Sequence, residues 1–298
     1  MMDVREVDAR ITLFTFDQLR TSWLIRDRRN ILIESGFPSN GPELLAGLEK
    51  ISFTPQDIDF LALTHVHLDH AGGAGHVARE NPALKVFVHE KGARHLTDPS
   101  KLMKSVKRAY VDIFTSAGDM IPISEQQIVT VSSGDVIDLG DTRLEVLYTP
   151  GHAKHHVVYF DRASESVFSG DAMGSQFEGF PNFVLAPPAD YDKELAKQSI
   201  DLIKAMNPKR IYFTHCGPYM LDGRDDYYET LKKKHDLWSE CVWDIARKNP
   251  GADPQKVLEL FMEENKDLEN YPSQHFSFGL SVKGILIYLK RTGRISDH

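Results

Sequence analysis

The chain has 298 residues and a net charge of −8, with 43 acidic against 35 basic side chains. At roughly 150 residues per domain this allows one large domain or a domain with a smaller appendage. The acidic balance speaks against a nucleic-acid binder, whose phosphate contacts need clustered Lys and Arg, and 41% apolar content with 10% aromatics excludes a disordered chain.

The segments ITLFTF, TSWLIR and ILIES between residues 11 and 35 read as short strands, rich in β-branched and aromatic residues. GPELLAGLEK has helical spacing after its Gly-Pro start, and IDFLALTH suits a buried strand. AGGAGHVARENP leads from glycines into a helix, and KVFVHE is a strand. Residues 99–117 read as a helix with apolar side chains at 102, 103, 106, 110, 113 and 114. Residues 128–149 alternate like antiparallel strands with Gly-Asp turns. HVVYFD and SVFSGD are two more strands, followed by a helix over 190–206 and the strand RIYFTH. Beyond Gly223 three helical stretches follow with no strand between them, so the expected division is residues 1–221 and a helical region 222–298, a lid or a dimer surface. No Gly-rich phosphate loop stands in the right setting.

Cys216 and Cys241 are too few for a disulfide framework and read as reduced thiols. The N-terminus MMDVREVDAR carries no apolar h-region, and no run approaches the roughly 20 apolar residues of a membrane helix. The expectation is a cytoplasmic chain with a small-molecule substrate, no nucleic-acid or membrane partner, and a homodimer left open.

His65-Val-His67-Leu-Asp69-His70 places four metal-ligand types within six residues. Imidazole nitrogen with carboxylate oxygen suits Zn, Fe, Mn, Ni or Co better than Ca or Mg. On an extended segment His65 and His67 point the same way and can share one ion, while Asp69 and His70 fall after a turn and can face a second. Three further apolar strands end in a ligand type, at His152, Asp171 and His215. Strand ends along one sheet edge are where such sites are built.

These pieces, T-H65-V-H67-L-D69-H70-A-G-G, T-P-G-H152, F-S-G-D171 and T-H215, resemble the metallo-β-lactamase superfamily, and within it the glyoxalase II-type hydrolases, over roughly residues 10–220. The resemblance implies an α/β fold, an αββα sandwich with metals at one edge, here followed by the helical C-terminal appendage. It implies that His65, His67 and His152 hold one ion, that Asp69, His70 and His215 hold the other, and that Asp171 bridges them. It implies two divalent ions, zinc ahead of iron or manganese. Two departures stand out: His67 occupies the place of the acidic residue of flavodiiron proteins, and the usual Asp-x-Gly after the early strand is Glu34-Ser35-Gly36.

Two metals roughly 3.5–4 Å apart can hold a bridging water and lower its pKa to about 7. The expected activity is therefore hydrolysis of a small ester, thioester or lactone by a bridging hydroxide that Asp69 orients. The alternatives are a phosphodiesterase for a small phosphoester, an iron oxidoreductase, and a signalling protein that keeps its metals without catalysis. The segment 172–189 carries Phe177 and Phe180 as candidate substrate contacts, and Tyr219 offers a hydroxyl. His155 and His156 are left outside the candidate site, as are His76, His89 and His95.

Overall fold

The structure, a computed structural model, describes residues 2–109, 117–177, 180, 182–187, 189–221, 223, 226–271 and 274–296. The strands in chain order are β1 (Asp3–Glu6), β2 (Ile11–Phe16), β3 (Arg20–Ile25), β4 (Ile31–Ile33), β5 (Phe60–Ala62), β6 (Lys85–His89), β7 (Ile128–Val131), β8 (Val136–Asp138), β9 (Arg143–Tyr148), β10 (Val157–Asp161), β11 (Ser166–Gly170), β12 (Arg210–Phe213) and β13 (Gly217–Met220). The helices are α1 (Gly41–Lys50), α2 (Leu68–Ala71), α3 (Ala74–Glu80), α4 (Glu90–Thr97), α5 (Ser100–Ala109), α6 (Lys193–Ala205), α7 (Asp226–Lys248), α8 (Pro254–Glu264) and α9 (Gln274–Arg291).

The chain divides into two compact units. The first comprises Met1–Tyr148, His155–Gly170 and Arg210–Tyr219; the second comprises Thr149–Lys154, Asp171–Lys209 and Met220–His298. All but the last residue of the two sheets lies in the first unit. A seven-stranded sheet runs β1-β2-β3-β4-β5-β6-β7 and a six-stranded sheet runs β13-β12-β11-β10-β9-β8. Both are mixed. β1 to β4 are antiparallel and β4 to β7 parallel. β8 to β11 are antiparallel, and β12 joins β11 in parallel. The expected α/β sandwich of two sheets with helices is thus present, and C-terminal helices follow it.

The alternation within each strand explains the layers. Along β3, Trp23 and Ile25 face the second sheet and pack with Leu144, Val146, Val157, Phe168 and Tyr212. Leu24 faces the other way and packs, with Leu32, Leu61, Val86 and Val88, against Leu44 and Leu48 of α1 and Val77 of α3. Trp23 anchors the space between the sheets, its ring 4.7 Å from Tyr212 and 6.1 Å from Phe168.

One expectation needs correction. Residues 128–149 do not form one antiparallel set: β7 leaves it and pairs in parallel with β6 at the edge of the first sheet, while β8 and β9 form the hairpin. Period-two alternation reports which face a residue takes, not which strand it pairs with. The path from β6 to β7 carries α4 and α5, and such a crossover permits parallel pairing. The expected helix over 99–117 is α5 from Ser100 to Ala109; residues 110–116, with the apolar positions 110, 113 and 114, lie outside the described residues.

In the second unit α6, α7, α8 and α9 pack on one another. The segment 172–187 is fixed to these helices by aromatic rings. Phe183 is fully buried, and its ring lies 5.1 Å from Trp238, 5.4 Å from Tyr271 and 4.6 Å from Phe278. A Cβ on Gly284 of α9 would fall 1.9 Å from the Ala186 carbonyl, so only glycine admits that approach. No helix among the described residues is long and apolar enough to cross a membrane.

Candidate metal centre

In the first unit the His-rich segment begins where β5 ends. Three hydrogen bonds hold its backbone before any ligand is reached: Leu63 N donates to Phe87 O at 2.9 Å, Val157 N to Thr64 O at 2.8 Å, and the buried Tyr159 hydroxyl to Leu63 O at 2.8 Å. Burial pushes the Tyr159 phenol well above its ordinary range, helped by the nearby Glu34 carboxylate, so this hydroxyl stays a donor. Val66 points into the core and is fully buried. Its neighbours His65 and His67 therefore share the opposite face, as the period of an extended chain requires. His65 Nε2 and His67 Nδ1 lie 2.9 Å apart, with ring centroids 4.4 Å apart.

The chain then turns into the four-residue helix α2, where Ala71 N donates to His67 O at 2.9 Å. This turn brings Asp69 and His70 round. Asp69 Oδ2 lies 3.9 Å from His70 Nε2 and 3.5 Å from His215 Nε2. His215 follows β12, whose end is tied to β3: Thr21 N donates to Thr214 O at 2.7 Å and Thr21 Oγ1 to Phe213 O at 2.7 Å. Asp69, His70 and His215 present ligand atoms within 4.8 Å of one another, and so do Glu34, His65 and His70. Buried imidazole nitrogens beside carboxylate oxygens are the donor set of a transition-metal site, and the residues of this unit fit one.

Glu34, read from sequence only as a departure from Asp-x-Gly, lies inside this cluster. It is fully buried and takes a left-handed φ of +67°, a conformation that costs a non-glycine residue about 1–3 kcal/mol. Thr64 Oγ1 donates to Glu34 Oε1, and Thr64 N donates to it at 3.4 Å. The following residue grips the ligand turn: Ser35 N and Oγ donate to His70 O at 2.8 and 2.7 Å. A Cβ on Gly73 would fall 2.2 Å from Ser35 O, which accounts for one glycine of the A-G-G run.

His155 and His156 also pack into the cluster. Their rings lie 6.1 and 4.9 Å from His65, and His155 lies 5.7 Å from His67. Val66 N donates to His155 Nδ1 at 3.4 Å. Their sequence signal was position alone, just after T-P-G-H152. His76 and His89 sit apart with pKa values lowered by burial. Cys216, next to His215, donates its thiol to Gln18 O at 3.2 Å, and burial pushes its pKa up to about 12. Tyr219 is half-buried on β13, its ring 6.4 Å from Phe213.

In the second unit His152 and Asp171 stand together, with His152 Nε2 3.2 Å from Asp171 Oδ2. The T-P-G-H152 loop is fastened to the start of α6. Asp192 N donates to Gly151 O at 2.8 Å and Ser199 Oγ to Pro150 O at 2.6 Å. Gly151 has φ +129°, and a Cβ there would fall 2.2 Å from Ala196 N. His152 Nδ1 faces Leu185 O at 3.1 Å, which leaves Nε2 toward Asp171. Phe177 and Phe180 each meet the Tyr271 ring, both at 5.3 Å.

The family model described as metallo-beta-lactamase superfamily matches residues 17–215. The chain is 28% identical over 229 residues to a metallo-beta-lactamase fold-containing protein of Sulfurisphaera tokodaii, covering 74% of this chain and 82% of that one. It is 30% identical over 175 residues to an acyl-coenzyme A thioesterase of Homo sapiens, 53% of this chain and 61% of that one. The solved structure of a metallo-beta-lactamase family protein from Thermus thermophilus superposes with a TM-score of 0.70 at 20% identity, covering 98% of this chain and 93% of that one.

Proposed function

The chain belongs to the metallo-beta-lactamase superfamily, and on that premise we propose that it is a hydrolase of a small ester, thioester or lactone that works with two divalent ions, zinc ahead of iron or manganese. The observation that carries this reading is the meeting of Asp69, His70 and His215 beside the paired rings of His65 and His67. His65 and His67, completed by His152, would hold one ion. Asp69, His70 and His215 would hold the other, and Asp171 would serve both. Divalent ions at such a site supply a water-derived nucleophile at neutral pH and polarise the carbonyl under attack.

The residues of the chain do the rest. The Asp69 carboxylate is the least buried of the acidic donors, 24% exposed at its side chain, and would orient the attacking water and carry its proton toward the leaving group. His70 and His215 flank that carboxylate, their Nε2 atoms 3.9 and 3.5 Å from Asp69 Oδ2. Phe177, Phe180 and Tyr219 would meet the apolar part and the polar end of the substrate. The similarity to an acyl-coenzyme A thioesterase favours a thioester among the acyl substrates.

The test is elemental analysis of metal per chain, paired with turnover of a thioester, a lactone, an aryl ester and a bis-aryl phosphate. Two ions per chain with acyl turnover support the proposal. One ion or none without hydrolysis overturns it, and turnover of the phosphate alone replaces the acyl substrate with a phosphoester.

A further inference from the structure

We infer that Glu34 is a positioning residue for both ion sites: its carboxylate sets the imidazole tautomer of His70 directly and that of His65 through the Thr64 hydroxyl. The inference rests on the proposed two-ion site for its purpose, but the hydrogen-bond logic comes from the protein groups alone. The Thr64 hydroxyl has one proton, and it goes to Glu34 Oε1. The same Thr64 oxygen lies 3.0 Å from His65 Nδ1. Having donated once, it can only accept there. The ring must then carry its proton on Nδ1, which leaves the Nε2 lone pair toward His67 Nδ1, 2.9 Å away.

His70 faces the same carboxylate oxygen. Its Nδ1 lies 3.3 Å from Glu34 Oε1, an electrostatic contact without the geometry of a hydrogen bond. A negative oxygen at that distance favours the proton of His70 on Nδ1, with Nε2 toward Asp69, 3.9 Å away. Which nitrogen of a ligating histidine is available is decided by the hydrogen bond made by the other. Here one buried oxygen acts on both rings, by a hydrogen-bond chain through Thr64 at His65 and by its charge at His70. Glu34 Oε2 makes no hydrogen bond among the described residues, so the duty falls on Oε1.

The competing arrangement is an ion held by Glu34, His65 and His70 themselves, since their ligand atoms lie within 4.8 Å. An ion on both Nδ1 atoms would strip both rings of the protons that Thr64 and Glu34 call for. It would also leave both Nε2 atoms protonated, facing His67 and Asp69.

The test is long-range proton–nitrogen NMR of the full chain with labelled histidine, stripped of metal and held at a pH where imidazole is neutral. His65 and His70 are expected as Nδ1–H tautomers. In Glu34→Ala both should move toward the mixture shown by an exposed histidine of the same chain, and in Thr64→Val only His65 should move. An unchanged His70 in folded Glu34→Ala, or a Thr64→Val that moves both rings or neither, overturns the inference. If Glu34→Ala does not fold, Thr64→Val alone still decides the His65 branch. Chelator competition adds a second readout: Glu34→Ala should weaken both ions about 10–100-fold, and Thr64→Val only one of them. A wild-type chain that takes up no metal overturns the proposed function while the tautomer result stands on its own.

Discussion

Two segments that carry expected site residues are built by opposite means. Residues 62–73 of the first unit are set by polar contacts: backbone hydrogen bonds from Val157 and the Tyr159 hydroxyl, two bonds from Ser35 to one carbonyl, and a buried carboxylate behind two rings. Residues 172–187 of the second unit are set by apolar contacts, with Phe183 locked among Trp238, Tyr271 and Phe278 and the backbone pressed on Gly284. Hydrogen bonds have directions and fix the angle of a ring; packing fills volume and fixes a path. The first is suited to holding donor atoms, the second to shaping a wall. Substitutions in the first segment should therefore cost activity more than stability, and in the second the reverse.

The largest effect expected tests the first half of that contrast. Asp69→Ala should lower turnover of the acyl substrate about 10²–10⁴-fold, the range for losing a positioned acid–base group. The thermal midpoint of the apo-protein should barely move, because Asp69 lies partly exposed on a short helix and fills no core position. Full activity in this variant would break both the role of Asp69 and the contrast.

The same division explains how much could be read from the sequence. The ligand strands and the His-rich turn were legible because both signals are local: short apolar runs mark β5, β11 and β12, and four ligand types fall within six residues. Glu34 was visible only as an anomaly, since its role depends on a turn that brings it to Thr64 and His70, thirty and thirty-six positions along the chain. His155 and His156 were left aside for the same reason: ring contacts with His65 are long-range facts. The departure of β7 from β8 and β9 was illegible because alternation is blind to partner choice. Phe177 and Phe180 read as apolar positions, and the structure shows Tyr271 against both, a partner some ninety residues away that no local pattern announces.

The second segment should show the reverse balance. Phe183→Ala removes a fully buried ring from the centre of the aromatic cluster and should cost about 3–5 kcal/mol, read from denaturant unfolding. Gly284→Ala drives a methyl into the Ala186 carbonyl and should cost about 1–3 kcal/mol. Both variants should keep the metal content of the wild type when assayed folded. A Phe183→Ala protein of unchanged stability would show that the cluster does not hold this segment.

The smallest effect separates a histidine that packs from those that would ligate. His235 of α7 is buried, and its Nδ1 lies 2.8 Å from the Tyr191 hydroxyl, the two rings stacked 5.9 Å apart. Burial holds its pKa down to about 3, and Asp236 on the same helix only partly opposes this. An unfolded histidine titrates near 6.5. Between these values the unfolded chain binds a proton that the folded chain refuses, so stability falls as pH drops below about 6.5 and continues falling until about 3, at roughly 1.4 kcal/mol per pH unit. From pH 7 to pH 5 His235 alone should therefore cost about 2 kcal/mol. Urea unfolding of His235→Gln, whose amide can still meet Tyr191, should show a pH 7 to 5 loss smaller than that of the wild type by about this amount. An equal loss in both proteins would mean that His235 takes up its proton in the folded chain, and that the second unit is more open around Tyr191 than its packing indicates.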